Sequence, residues 1–335
     1  MKKLIVKIIV FFGIVVLIDQ CVGAVFVAMK EYGLRRHPQC VWLRPQYVME
    51  KVSDDVLFFG SSRTSRGIVS SMVQDSLGVT AYNCGQEGCM FLYQNCLINT
   101  IIDRYSPKCV VWEINPRTIV EDFSPSEYQN FRHFSPYYDD NIYVRNYVDS
   151  AAEMNKLFMC SQMYRYNSKL FYYLFPIISS ADNTENGYAP LPATGYKYPQ
   201  MIKLKDNIRK GTHNFSTRKY DMLTATIRRC VDKNIFVVLI TIPTYSEVSP
   251  ETMKNIRDLQ RLSEKPLVSF HNYVNDRRFM HADLYYKGAV HLNSKGAELF
   301  TKILIEECLT PILESSPSQN KILIESSICD NVYTR

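Results

Sequence analysis

At 335 residues, 46% hydrophobic and 21% charged, the chain can bury a sizeable core and fits one large domain with decorations, or two small ones. Its formal charge of +6 is mild and scattered, with no Lys/Arg block to track a phosphate backbone, so nucleic acid is set aside as a partner. The ten cysteines form no CxxC pair and have no histidines at zinc-ligand spacing, which leaves a metal site unsupported. Most of them lie in apolar runs, as buried thiols do.

Residues 1–29 begin Met-Lys-Lys and run apolar from Leu4 through Ile18, apart from Lys7, then again from Val22 to Met29. A basic start followed by a long apolar stretch is an export signal. It has two possible fates: an uncleaved anchor, or a signal peptide cut after Val22-Gly23-Ala24, which would leave a secreted chain. The run approaches the ~20 residues that span a bilayer and continues past Ala24, which predicts the anchor over residues 1–30. Lys2, Lys3 and Lys7 then hold the short tail in the cytoplasm, giving a single-pass membrane protein with its globular part extracytoplasmic. Asp19 interrupts this segment, and a carboxylate near mid-membrane costs roughly 2.5 to 3.5 kcal/mol. It calls either for the interface of a shorter, tilted span or for a polar contact with another membrane protein. Residues 31–53, with Pro38 and Pro45, read as a tether.

The run Asp55-Val-Leu-Phe-Phe-Gly60-Ser-Ser62 stops an apolar strand on a glycine-hinged turn, and a helix pattern follows from Ile68 to Leu77. Gly78 to Asn83 is a second short strand, with a glycine-flanked turn through Gly88 and an apolar-periodic stretch from Met90 to Ile102. A third strand, Lys108 to Glu113, ends at Asn115-Pro116. Residues 118–205 leave this rhythm, carry many tyrosines, and are expected to form an inserted helical and loop cap whose tyrosines are mostly half-buried packing. The rhythm resumes with a helix at Thr217 to Lys233 and the near-continuous apolar strand Ile235 to Ile242, as expected of a parallel strand covered on both faces. A helix at Glu251 to Leu262, a weaker strand at Pro266 to Phe270 and an amphipathic helix at Ser294 to Leu309 follow, and residues 313–335 read as a tail. Alternating strands and helices predict an α/β fold, a three-layer parallel sheet of flavodoxin-like type over 54–312. No Gly-rich phosphate loop follows the first strand, so a nucleotide binder is disfavoured and no cofactor is implied.

Reactive groups in such sheets sit at the carboxyl ends of the strands. Ser62 is there, exposed by the turn at Gly60, although Ser61 and Ser62 could simply cap the next helix. His291 lies directly before the last helix, and imidazole titrates near the pH at which it can take a serine proton. The backbone N–H groups of Ser62 and Gly85 and the Asn115 amide are candidate donors to an oxyanion.

In this order the blocks resemble the SGNH (GDSL-like) hydrolase and acyltransferase superfamily. Gly60-Ser61-Ser62 matches its first block with Ser in place of the usual Asp at 61, Asn83-Cys84-Gly85 its second, Asn115 its third and His291 its last. The resemblance implies Ser62 as nucleophile, His291 as base, and Gly85, Asn115, Asn83 and Arg63 around the oxyanion and substrate. The Gly-Ser-Ser-Arg form with an N-terminal anchor is similar to membrane-tethered members near polysaccharide loci, including alginate O-acetylation and teichoic-acid D-alanine transfer proteins. That likeness implies an extracytoplasmic serine esterase or O-acyltransferase acting on acyl groups, acetyl above all, of a cell-envelope polysaccharide. It also implies an acyl donor and a membrane acyltransferase as partners. The family's Asp three residues before the histidine is here Gly288, and Asp283 is the nearest upstream acid. The departure supports an alternative, a catalytically silent glycan-binding or scaffold protein.

Overall fold

The computed structural model describes residues 1–116, 119, 123–167, 169–178, 184–195, 202–203 and 216–314. In chain order the elements are α1 (Lys2–Arg36), α2 (Arg44–Glu50), β1 (Val56–Phe59), α3 (Ser62–Gly67), α4 (Ser70–Leu77), β2 (Ala81–Asn83), α5 (Phe91–Arg104) and β3 (Cys109–Glu113). Then come α6 (Pro125–Gln129), α7 (Ile142–Ala151), α8 (Asn155–Phe158), α9 (Gln162–Tyr166), α10 (Leu170–Ile178), β4 (Ile202–Lys203), α11 (Thr217–Asp232) and β5 (Phe236–Thr241). The chain closes with β6 (Ser246–Glu247), α12 (Pro250–Gln260), β7 (Val268–Asn272), α13 (Ser294–Leu304) and α14 (Thr310–Leu313). Two compact units result, residues 1–51 with 125–183, and residues 52–124 with 184–335.

The second unit holds a five-stranded, all-parallel sheet of order β2-β1-β3-β5-β7. All four residues of β1 are buried, because helices cover both faces. Val56, Phe58, Val111, Val238 and Ile240 share one core with Val73 of α4 and Phe300 of α13. On the opposite face Trp112 stacks on Phe91 at 5.6 Å and donates its indole N–H to Gln94 Oε1 of α5 at 2.8 Å. β2 pairs with one edge of β1 and β3 with the other. The strand order therefore reverses beside β1, and the carboxyl ends of β1 and β3 flank the crevice where ligands bind in open α/β sheets.

The expected strands and helices of this unit are present, with shifted ends. The helix expected from Ile68 to Leu77 is α4, a further short helix, α3, precedes it from Ser62, and the last helix passes into a π turn over Ile305–Leu309. Residues 184–195, expected within the insertion, belong to the second unit. The Asn83 N–H donates to the Asn186 carbonyl (2.9 Å) and the Ala189 N–H to that of Ser65 (3.0 Å). Gly187 makes this approach with φ +82°, where a Cβ would lie 2.0 Å from the Asn83 oxygen. The tail from 315 onward lies outside the described residues.

The first unit replaces the expected tether with structure. α1 runs on to Arg36, and Leu43, Val48 and Met49 are buried in and around α2. Lys30, buried, pairs with Glu50 at 2.5 Å, and the Tyr137 hydroxyl donates to the same carboxylate at 2.6 Å. Asp19 finds its partners within the chain: its carboxylate accepts from Ser161 Oγ (2.7 Å) and from the N–H groups of Gln162 (2.8 Å) and Met163 (2.9 Å). It thus satisfies the open first-turn donors of α9. α1 is long and apolar enough to cross a membrane. The nine described cysteines are free thiols.

Candidate active site

The carboxyl ends of β1 and β3 and one loop of the second unit frame a cavity of about 290 Å³. β1 delivers Ser61, Ser62 and Arg63, β3 delivers Glu113 and Asn115, and the loop before α13 delivers His291. Gly60 permits the first turn on steric grounds. A Cβ there would stand 1.9 Å from Thr64 Oγ1 and 2.7 Å from Glu113 Oε2. The two serines then divide the roles that the sequence left open. Ser61 is the N-cap of α3, its hydroxyl accepting from the Arg63 N–H at 3.4 Å. Ser62, the first helical residue, turns its hydroxyl to His291, with Oγ 2.9 Å from Nε2.

His291 is held by a hairpin-like loop. Tyr285 and Leu292 form a bridge, and the Tyr286 N–H donates to the His291 carbonyl at 2.9 Å. Asn293 fixes the base of the loop by capping α13 through the Gly296 N–H (3.1 Å) while donating its amide to the Asp283 carbonyl (2.6 Å). The Asp283 carboxylate itself is exposed. Among the described residues no carboxylate hydrogen-bonds to the His291 ring, so the suggested third member is not assembled here. Asp283 is linked to the loop by its backbone alone.

Asn83 and Gly85 also differ from expectation. Asn83 is fully buried and donates its amide to the carbonyls of Thr64 and Ile68, both at 2.8 Å, while its Oδ1 accepts the Gly85 N–H at 3.0 Å. That N–H is therefore spent on Asn83 rather than aimed at the cavity, and Asn83 acts as a clamp on α3. A Cβ on Gly85 would lie 2.6 Å from the Ser65 nitrogen, so the glycine serves close packing between this turn and α3. Asn115 does line the cavity with Ser62 and His291.

Glu113 is the residue that reading the sequence did not single out. It is 2% exposed, and its carboxylate accepts from the Ser61 N–H (3.1 Å), Ser61 Oγ (3.2 Å) and Thr64 Oγ1 (3.2 Å) and pairs with the Arg63 guanidinium. A glutamate at the end of an apolar strand was the available signal, because a buried carboxylate requires partners. Arg63 is thus committed to Glu113 while also lining the cavity, beside the apolar Met90, Phe91, Ile114 and Val290.

Burial holds the His291 imidazole below its ordinary value of 6.5, and the Arg63 and Arg66 charges push the same way against Glu87 and Glu113. Only the neutral ring can accept a proton from Ser62, and a lowered value keeps it neutral further into acid. Any turnover that depends on this pair is expected to show an acid limb in kcat/KM whose midpoint lies below 6.5. An acid limb centred above 6.5 would show instead that a carboxylate stabilises the imidazolium.

Ser62 and His291 are placed within the reach required of a nucleophile and its base. A scan against family models gives no match, and no curated protein matches the chain.

Proposed function

We propose that the chain is a membrane-anchored serine esterase or O-acyltransferase of SGNH type, acting on acyl groups, acetyl above all, of a bacterial cell-envelope polysaccharide. The observation that carries this reading is the 2.9 Å contact of Ser62 Oγ with His291 Nε2 inside a cavity at the point where the strand order reverses. In the proposed cycle Oγ attacks the acyl carbonyl carbon while its proton passes to Nε2, and the leaving alkoxide takes that proton as the C–O bond breaks. A sugar hydroxyl or water then attacks the Ser62 ester, gives its proton to His291, and Ser62 recovers it as the acyl group departs. The Asn115 amide is the side-chain donor near the developing oxyanion.

The anchor belongs to the same proposal, with the bulk of the chain extracytoplasmic and a membrane acyltransferase as the source of acyl groups. Retention of α1 is supported by what cleavage after Ala24 would remove. Asp19 carries the first turn of α9, and Gly23 packs so closely on Gln162 that a Cβ would meet its side chain at 2.8 Å.

The missing carboxylate on His291 among the described residues favours the second reading, a silent glycan-binding protein. A serine-directed phosphonate separates the two. Wild type is expected to take one covalent label by mass, lost in Ser62→Ala and slowed in His291→Ala, and to turn over a small acetyl ester. Labelling that survives Ser62→Ala, or wild type that neither labels nor turns over, favours the silent protein.

A further inference from the structure

The length of the exposed part of α1 sets the depth of the chain's other helices. The stretch of α1 before its first buried residue, Leu4 to Ile18, apolar apart from Lys7, covers only about 22 Å at 1.5 Å per residue. A hydrocarbon core of about 30 Å needs about 20 residues, so a span that starts at Leu4 ends near Gly23, and tilt would carry it further toward Met29. The segment from Asp19 to Gly23 therefore lies in the outer leaflet. There α1 is joined to the insertion, through Asp19 to the first turn of α9 and through Phe26, which stacks on Tyr166 at 5.2 Å. Leu170 of α10 closes a wholly apolar groove along Leu17, Val22 and Val25.

The face that α9 and α10 turn outward fits that depth. Met163, Leu170, Phe171 and Ile178 are exposed, Phe171 at 76%. The only two charged residues from Ser161 to Ile178 are turned inward. Arg165 is buried on Asp139 and the Met159 carbonyl, and Lys169 is buried with its ammonium 5.0 Å from the centre of the Tyr172 ring. An apolar patch of this kind, continuous with a membrane-crossing helix and stripped of outward charge, marks a lipid or protein contact. The length shortfall selects lipid, because it places this face at acyl-chain depth before any partner is considered.

We infer that α9 and α10 are embedded in the outer leaflet beside α1, so that the chain holds the bilayer by a broad apolar foot rather than by one helix. This inference rests on the anchor reading, and the test separates the two. Benzoylphenylalanine is placed singly at Phe11, Phe171, Ile178 and Lys302 of the full chain in native membranes, irradiated, and lipid adducts are read by mass. Adducts at 11, 171 and 178, with at most a tenth as much at 302, are expected. Adducts at 11 alone overturn the foot and leave the anchor standing, while adducts at none of the four overturn both. Protein crosslinks at 171 and 178 in place of lipid, or equal lipid labelling at 302, overturn the inference as well.

Discussion

Alanine in place of His291 is expected to slow turnover of a small acetyl ester by about 10²- to 10⁴-fold, the range for loss of a positioned general base. The expectation follows from the single contact at 2.9 Å between Ser62 Oγ and Nε2. Ser62→Ala should fall at least as far, and the double variant should be no worse than the single ones, because a nucleophile and its base act as a unit. Asp283→Asn should stay within about twofold, the size of a ~0.5 kcal/mol surface effect, since its exposed carboxylate has no contact with the ring. Steady-state kinetics on the four variants, with melting temperatures to exclude unfolding, decide the matter. A collapse in Asp283→Asn would mean that the loop closes onto the ring during the reaction. Unchanged turnover in His291→Ala would remove the imidazole from the chemistry.

β1, β3 and β5 are short apolar runs that end in breakers or polar turns, and continuous burial on both faces leaves little else for them to be. Ser62 and His291 were legible for a related reason, since a parallel sheet assembles the ends of its strands on one edge. α3 was not, because Ser-Arg-Thr-Ser-Arg-Gly has no apolar period. It is helical because Ser61 caps it, Asn83 holds its carbonyls and Glu113 binds its first turn. Asp19 was legible as a cost but not as a contact, its partners being more than 140 residues away in the chain. The misread tether has the same origin. α2 is stabilised by burying Leu43, Val48 and Met49 within its unit, which local propensity does not encode.

Glu113 supplies the strongest structural test of the site. Glu113→Ala removes the acceptor for the Ser61 N–H, two hydroxyls and the Arg63 guanidinium at once. The Arg63 side chain is 12% exposed, so the guanidinium would stay largely desolvated and unpaired. Removing one partner of a buried pair costs about 3 to 5 kcal/mol. For a unit of this size that is a fall in melting temperature on the order of 10 °C. Because Ser61 and Arg63 flank Ser62, the phosphonate labelling rate should also drop well below its wild-type value at temperatures where the variant remains folded. Glu113→Gln keeps the volume and one acceptor, so it should lose less stability than alanine while still weakening the hold on Arg63. The discriminating variant is the double replacement Glu113→Leu with Arg63→Met, which exchanges the ion pair for apolar side chains. It should recover much of the stability. It should not recover the labelling rate, because the Ser61 N–H and hydroxyl still lack the carboxylate that sets the turn. If calorimetry finds Glu113→Ala within about 1 kcal/mol of wild type, the carboxylate is not what fixes the nucleophile's turn. If labelling returns together with stability in the double variant, its effect on Ser62 is general to the fold rather than a matter of position.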